Sequence, residues 1–287
     1  VSGATSATLT LVSVNAAMNN YQYRVVVNNT CPSTATSNAA ILTITNSAAI
    51  NTQPTDALVC VGTNASFAVT ATGSTLTYQW QLSTDAGGTW NNIAGETLNL
   101  TAVTAIMTAN QYRVVVFSCS PTGLNSSAAI LTVNNPVAIT TQPISTSICE
   151  GTDVTFTSAA TGTGLTYQWQ QSIDGGSIWT NVTGANNASL TLTAVAISLN
   201  NNQYRVNATG TCTPAGINSN VAILTVNSLV TIATHPASNA VCAGLNMAFS
   251  VSASGTGLTH QWQESTDAGV TWSNITGATS ATLTLTA

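Results

Sequence analysis

The chain has 287 residues, of which only 4% are charged, and its net charge of -5 sets eight acids against three arginines, with no lysine. Arg24, Arg113 and Arg205 are too few to neutralise a run of phosphates, which excludes nucleic-acid binding and polybasic attachment to an anionic membrane. No apolar run approaches the roughly 18 residues of a membrane-spanning helix. The polarity resides instead in Thr, Ser and Asn, which suit strands and turns. The sequence opens inside a repeat, so it reads as part of a longer chain.

Residues 1–46 read as the C-terminal half of a repeat, with a Thr/Leu strand through Leu9 and then Gln-Tyr-Arg-Val at Gln22–Val25. Residues 47–135 form a complete repeat. Ile50–Pro54 and Ala57–Cys60 predict a first strand broken at an edge, where Pro54 is tolerated. Gly62-Thr63-Asn64 turns into a strand over Ala65–Ala71, with Phe67, Val69 and Ala71 facing inward. Thr75–Leu82 is the next strand and carries Trp80; Asp85-Ala86-Gly87-Gly88 then turns into Thr89–Ile93. Thr97–Thr101, Gln111–Phe117 and Ala128–Val133 close the set, and no 3.6-residue pattern is long enough for a core helix.

Residues 136–228 repeat this order, and 229–287 hold the N-terminal part of another copy. From Leu9 through Leu98, Leu190 and Leu283 the steps are 89, 92 and 93 residues. Gln-Tyr-Arg-Val returns at Gln111–Val114 and Gln203–Val206, and Thr-Gln-Pro at Thr52–Pro54 and Thr141–Pro143, with Thr-His-Pro at Thr234–Pro236. Gly277–Leu285 is identical to Gly3–Leu11. Tryptophans stand in pairs, Trp80/Trp90, Trp169/Trp179 and Trp262/Trp272, the first of each pair large enough to fill a small sandwich.

Seven or eight short strands in about 90 residues, with turns at regular spacing, predict an all-β fold of tandem immunoglobulin-like β-sandwiches in a head-to-tail array. Val69, Trp80 and Tyr112/Val114 stand where such domains place the first Cys, the core Trp and the Tyr-x-Cys; Ser158, Trp169, Tyr204 and Val206 do so in the next repeat. The core cystine is thus replaced, and Tyr112 and Tyr204 suggest a tyrosine corner tied to nearby backbone. The phrases Tyr78–Trp90 and Gln111–Val133, with their sister copies, resemble the tandem repeats of large secreted adhesins and filament proteins of gliding bacteria. That resemblance implies an extracellular, cell-surface protein that forms a filament, stalk or adhesive fibre by self-association.

Ser83-x-Asp85-x-Gly87-x-Thr89-Trp90 matches the Asp-box, as do Ser265–Trp272 with Asp267 and, with Ile178 in place of Thr, Ser172–Trp179 with Asp174. The motif is a hairpin device in which the Asp accepts backbone N–H groups and the Trp packs beneath; it carries no catalytic group. The remaining acids, Asp56, Glu96, Glu150, Asp153 and Glu264, are scattered, so no acid pair, cofactor site or catalytic set emerges. Glu150 and Asp153 share a loop, where a Ca2+ site needs six or more oxygens, and a solvated turn accounts for them better. His235 and His260 replace a Gln and a Tyr without any recurring partner and read as drift. The Arg of Gln-Tyr-Arg-Val points outward, towards a local carboxylate.

Cysteines recur in two places: Cys31, Cys119 and Cys212 after the penultimate strand, and Cys60, Cys149 and Cys242 before the glycine turn. Their regularity suggests an oxidising setting. Sequence habit suggests a bond within a repeat, Cys60–Cys119, although those loops lie at opposite poles of such a sandwich. A head-to-tail array would permit Cys60–Cys212, leaving the other four to further domains or neighbouring chains. Eight glycosylation sequons, at Asn28, Asn64, Asn99, Asn125, Asn181, Asn187, Asn207 and Asn274, arise readily by chance in such a composition.

A glycan- or surface-binding module would need exposed aromatics, for which Trp90, Trp179 and Trp272 are the candidates, and a non-catalytic spacer of a secreted enzyme is the other alternative. Strand addition between copies would complete the split repeat, but the duplicated Gly3–Leu11 supplies one strand twice.

Overall fold

A computed structural model describes residues 1–95, 97–120 and 122–287. The chain separates into two compact units, Val1–Asn135 and Pro136–Ala287. The described residues contain strands and three single 3-10 turns, Ala16–Met18, Ala105–Met107 and Ile197–Leu199. Among the described residues no helix is long and apolar enough to cross a membrane.

In the first unit, Thr77–Ser83 and Gln111–Phe117 form the centre of a sheet ordered Asn91–Asn92, Thr77–Ser83, Gln111–Phe117, Ala129–Asn134, Ala57–Cys60. The central register sets Trp80 opposite Val114. The opposing layer is made of two short pairs, Ala49–Thr52 with Thr70–Thr72 and Ala65–Phe67 with Leu98–Leu100. The strand expected over Ala65–Ala71 is therefore split at Ala68–Val69, although its inward alternation persists: Phe67 is buried, and Val69 and Ala71 are half-buried. Sequence reading also missed the short strand Leu124–Asn125, which pairs with Val115 and Val116.

The second unit builds the same sandwich around Thr166–Ser172 and Gln203–Gly210, with Trp169 opposite Val206. Both cores stack a phenylalanine on the strand tyrosine, Phe67 on Tyr112 at 4.9 Å and Phe156 on Tyr204 at 5.0 Å between ring centroids. Val114 and Val206 are fully buried where a core cystine would otherwise stand. Ser158, at the other cystine position of its repeat, is buried and donates to the Thr141 carbonyl at 2.8 Å, so its hydroxyl is satisfied.

The Thr-Gln-Pro marker is where the first strand changes sheets. Ala49–Thr52 pairs antiparallel in one layer, and beyond Pro54 the chain re-pairs as Ala57–Cys60, parallel to Ala129–Asn134 in the other. Proline has no N–H to give to a ladder and fixes φ, so it ends the first pairing. Gln53 covers the gap, its Oε1 accepting from Ser127 N at 2.9 Å. Pro143 divides Ala138–Thr141 from Thr146–Cys149 in the same way, and Gln142 Oε1 accepts from Asn220 N at 2.8 Å.

The flanking segments are half-sandwiches. Residues 1–46 hold Gln22–Tyr23 paired with Ala40–Ile41, and Val26–Asn28 with Thr34–Thr36. Residues 229–287 hold Thr231–Thr234 with Ser252–Ser254, Met247–Ser250 with Thr282–Leu285, and Gln263–Glu264 with Ser273–Asn274. Trp262 is only half-buried there, because the strand that covers Trp169 has no counterpart in 229–287.

Candidate functional site

The Asp-box hairpins are closed by a short hydrogen-bond relay. Ser83 Oγ donates to Asp85 Oδ1 at 2.7 Å and accepts from Gly87 N at 2.8 Å. Asp85 Oδ1 also accepts from Thr89 N at 2.8 Å, Asp85 Oδ2 from Thr89 Oγ1 at 2.7 Å, and Trp90 Nε1 donates to Gly87 O at 3.1 Å. Asp267 repeats the set with Ser265 and Thr271. Asp174 accepts from Ser172 Oγ and Ile178 N, and Ile178 has no hydroxyl to match that of Thr89.

Donors favour the ionised carboxylate. The Thr89 amide, Ser83 and the Thr89 hydroxyl lower the pKa of Asp85 from 3.8 to about 2. The Thr271 hydroxyl and amide, with Ser265, bring Asp267 from 3.8 to about 2. Asp174 is also lowered, by the Ile178 amide and then Ser172. An exposed carboxylate held ionised by its own turn is an anchor for the hairpin and is ill-suited to proton transfer near neutral pH.

Arg113 and Arg205 differ from the expectation of a carboxylate partner. The Arg113 guanidinium lies over the Trp90 ring at 4.1 Å, and its Nε donates to Gln81 Oε1 at 2.8 Å. Gln81 Nε2 in turn donates to Asn92 Oδ1 at 2.9 Å. The same ladder runs from Trp179 through Arg205 and Gln170 to Asn181, with Arg205 at 4.1 Å from the ring. Adjacent registers place the amide and the ring on the same sheet face as the arginine, and a weakly hydrated guanidinium stacks readily on an aromatic surface. One face of Trp90 and of Trp179 is thus occupied, whereas Trp272 is 60% exposed.

The other acids support loops. Asp56 Oδ1 accepts from Ile130 N at 2.7 Å, Asp153 Oδ1 from Ala194 N at 2.8 Å, and Glu150 Oε1 from Ile197 N at 3.4 Å. Glu96 lies outside the described residues. Among the described residues no three His, Cys, Asp or Glu side chains come together as a metal cluster. Tyr112 and Tyr204 are buried, and burial raises both phenol pKa values, opposed by the side chains of Asn110 and Asn202. The backbone tie expected of a tyrosine corner is not among the hydrogen bonds of Tyr204. Asn202 stands outside hydrogen-bonding geometry for the Tyr204 hydroxyl, which has no partner among the described residues.

Cys60 and Cys212 are disulfide-bonded, whereas Cys31, Cys119, Cys149 and Cys242 are exposed thiols. The bond Cys60–Cys119 that sequence habit suggested is therefore not formed, and the fold gives the reason. Cys60 pairs in register with Asn134, where the chain leaves its sandwich, and Val61 N donates to Asn134 O at 2.9 Å. Cys119 lies where the chain enters: its Sγ is 3.8 Å from Thr45 O and 3.9 Å from Ser47 Oγ. In the second unit, Cys149 is in register with Asn227 at the exit pole, whereas Cys212 is next to Thr213, whose Oγ1 accepts from Val137 N at 3.0 Å at the entrance pole.

The chain is similar in structure to an I-band fragment of titin, with a TM-score of 0.58 and 14% identity over 77% of this chain and 80% of that one. An E-to-A variant of a three-domain titin fragment is similar with a TM-score of 0.56, at 14% identity and the same coverage. Both likenesses concern the fold, tandem immunoglobulin-like sandwiches. No curated protein matches the chain. One family model matches three times in succession, over residues 49–135, 138–228 and 231–287, so the chain belongs to the family described as Domain of unknown function (DUF8696).

Proposed function

We propose that the chain is a structural segment of an extracellular bacterial fibre or stalk, of the adhesin and filament type, in which stacked sandwiches supply length. Cystines between consecutive repeats, Cys60 with Cys212, would supply tensile strength. The observation that carries this reading is the bonding state of the cysteines. Cys60 and Cys212 are bonded, whereas Cys119 and Cys149, their partners within each repeat, keep their thiols. An exit-pole cysteine of one sandwich and an entrance-pole cysteine of the next are the two that a head-to-tail array brings together. The surface is nearly free of charge, which leaves little repulsion against lateral or end-to-end association.

Negative-stain electron microscopy of native material with and without reductant tests the proposal. Long uniform fibres that fray or shorten on reduction are expected. Isolated flexible rods indifferent to reductant would sink it and favour the spacer reading. A glycan-binding module is disfavoured by the arginines that cover Trp90 and Trp179.

A further inference from the structure

The strand that ends at Cys60 lies at the edge of its sheet, and its neighbour there is the last strand of the same sandwich. Ala57–Cys60 runs parallel to Ala129–Asn134 in the register Ala57↔Leu131 to Cys60↔Asn134, and Val61 N donates to Asn134 O at 2.9 Å. Cys60 and the outgoing chain therefore leave the sandwich side by side. In the second unit Cys212 stands just before Thr213–Asn218 and Ala222–Asn227, the last two strands of that sandwich. Every other strand of the two complete repeats lies on the chain between these cysteines or before Cys60.

A bond between the two changes which residues feel a pull on the chain ends. Tension runs from residue 1 to Cys60, crosses the sulfurs and continues from Cys212 to residue 287. Residues 61–211, about 150 residues or roughly 500 Å of extended chain, hang from the bond as a closed loop and carry none of it. That loop holds Trp80, Tyr112, Trp169 and Tyr204, the centres of both cores. Within the complete repeats the load passes only through Ala49–Thr52 and Ala57–Cys60 on one side, and Thr213–Asn218 and Ala222–Asn227 on the other. These segments are already strands and have little length left to give.

Without the bond the same pull enters each sandwich at its first strand and leaves at its last. Ala57–Cys60 and Ala129–Asn134 are parallel neighbours, so they are drawn in opposite directions and their ladder is sheared; Thr146–Cys149 and Ala222–Asn227 are loaded likewise. Once that ladder parts, the whole repeat can unravel.

We propose that the Cys60–Cys212 bond carries tension past both cores, so that the oxidised chain bears load with its sandwiches folded and the reduced chain yields by unfolding them. The inference rests on the pairing in the fibre reading and adds a task to it: the bond limits extension, and reduction releases the limit.

Single-molecule force spectroscopy of the 287-residue chain, tethered by peptide tags at both ends, is the test. At about 3.3 Å per residue the chain is expected to extend to roughly 450 Å without reductant and to roughly 950 Å with dithiothreitol. When dithiothreitol is added at constant force, cutting the bond should be followed by two separate steps of roughly 250–300 Å, one for each sandwich. Cys60→Ser without reductant should behave as the reduced chain does, and Cys119→Ser should keep the short tether. A single jump of roughly 500 Å on reduction would mean that the cores had already come apart inside the loop, and would overturn this inference alone. A chain that reaches roughly 950 Å without reductant, or one that Cys119→Ser lengthens, would mean that Cys60 and Cys212 are not paired, and would overturn the pairing as well.

Discussion

The hairpin aspartates show how one hydroxyl tunes a turn. The Thr89 amide and its companions lower the folded pKa of Asp85 from the usual 3.8 to about 2. A depressed folded value means that the ionised form holds the hairpin above the ordinary carboxylate pKa, and that this support is lost as pH falls through about 2. The Thr89 amide resonance is therefore expected to titrate with its midpoint near pH 2; a midpoint near 4 would show that the carboxylate is not anchored. Ile178→Thr should lower the Asp174 midpoint further by supplying the missing hydroxyl. The next position holds strain. Ala86 has φ 57° and Ala268 φ 62°, where the middle repeat has Gly175 at φ 76°. A left-handed Ala costs about 1–2 kcal/mol, part of which is offset by the greater unfolded-state freedom of glycine. Ala86→Gly is expected to stabilise its sandwich by about 0.5 kcal/mol in urea unfolding, and a loss of stability would contradict the strain.

Strands and their cross-strand ladders are the next scale, and the arginine is their test. A double-mutant cycle of Arg113→Ala and Trp90→Leu should give a coupling of about 0.5–1 kcal/mol in denaturant unfolding. A coupling near zero would reduce the stacking to mere proximity. Local pattern made much of this scale legible. Period-2 alternation placed Trp80, Tyr112 and Val114 in the core, and the Asp-x-Gly turn placed the hairpin. What sequence left out depends on tertiary register. Arg113 reaches Trp90 because one strand lies beside another in a particular offset, and nothing local marks a ring over a carboxylate as its partner. Gln53 and Gln142 reach residues more than seventy positions away, so the role of Thr-Gln-Pro as a sheet switch was invisible. The split at Ala68–Val69 has the same origin, since Thr52 already meets Thr70 across a bulged register.

For the whole molecule, the decisive question is where its covalent strength lies. Removing a disulfide that closes a loop inside a small domain typically costs 2–5 kcal/mol and often unfolds it. Here the cystine positions of each core hold Val114 and Val206 instead, both fully buried. Neither Cys60 nor Cys212 closes a loop within its own sandwich, because Cys119 and Cys149 remain thiols. Each core is also self-contained: Trp80, Tyr112 and Leu131 close one, and Trp169, Tyr204 and Leu224 the other. Reduction should therefore act on assembly and leave the fold intact. Near-ultraviolet circular dichroism and tryptophan emission are expected to be unchanged by excess dithiothreitol under native conditions, with the same dose fraying the fibres that the proposed array would form. If the sandwiches lost their tertiary signal on reduction, the cystine would be stabilising the individual domain, and the assignment of its strength to the array would fail. If fold and fibre both survived, packing between neighbouring sandwiches would carry the load without covalent help.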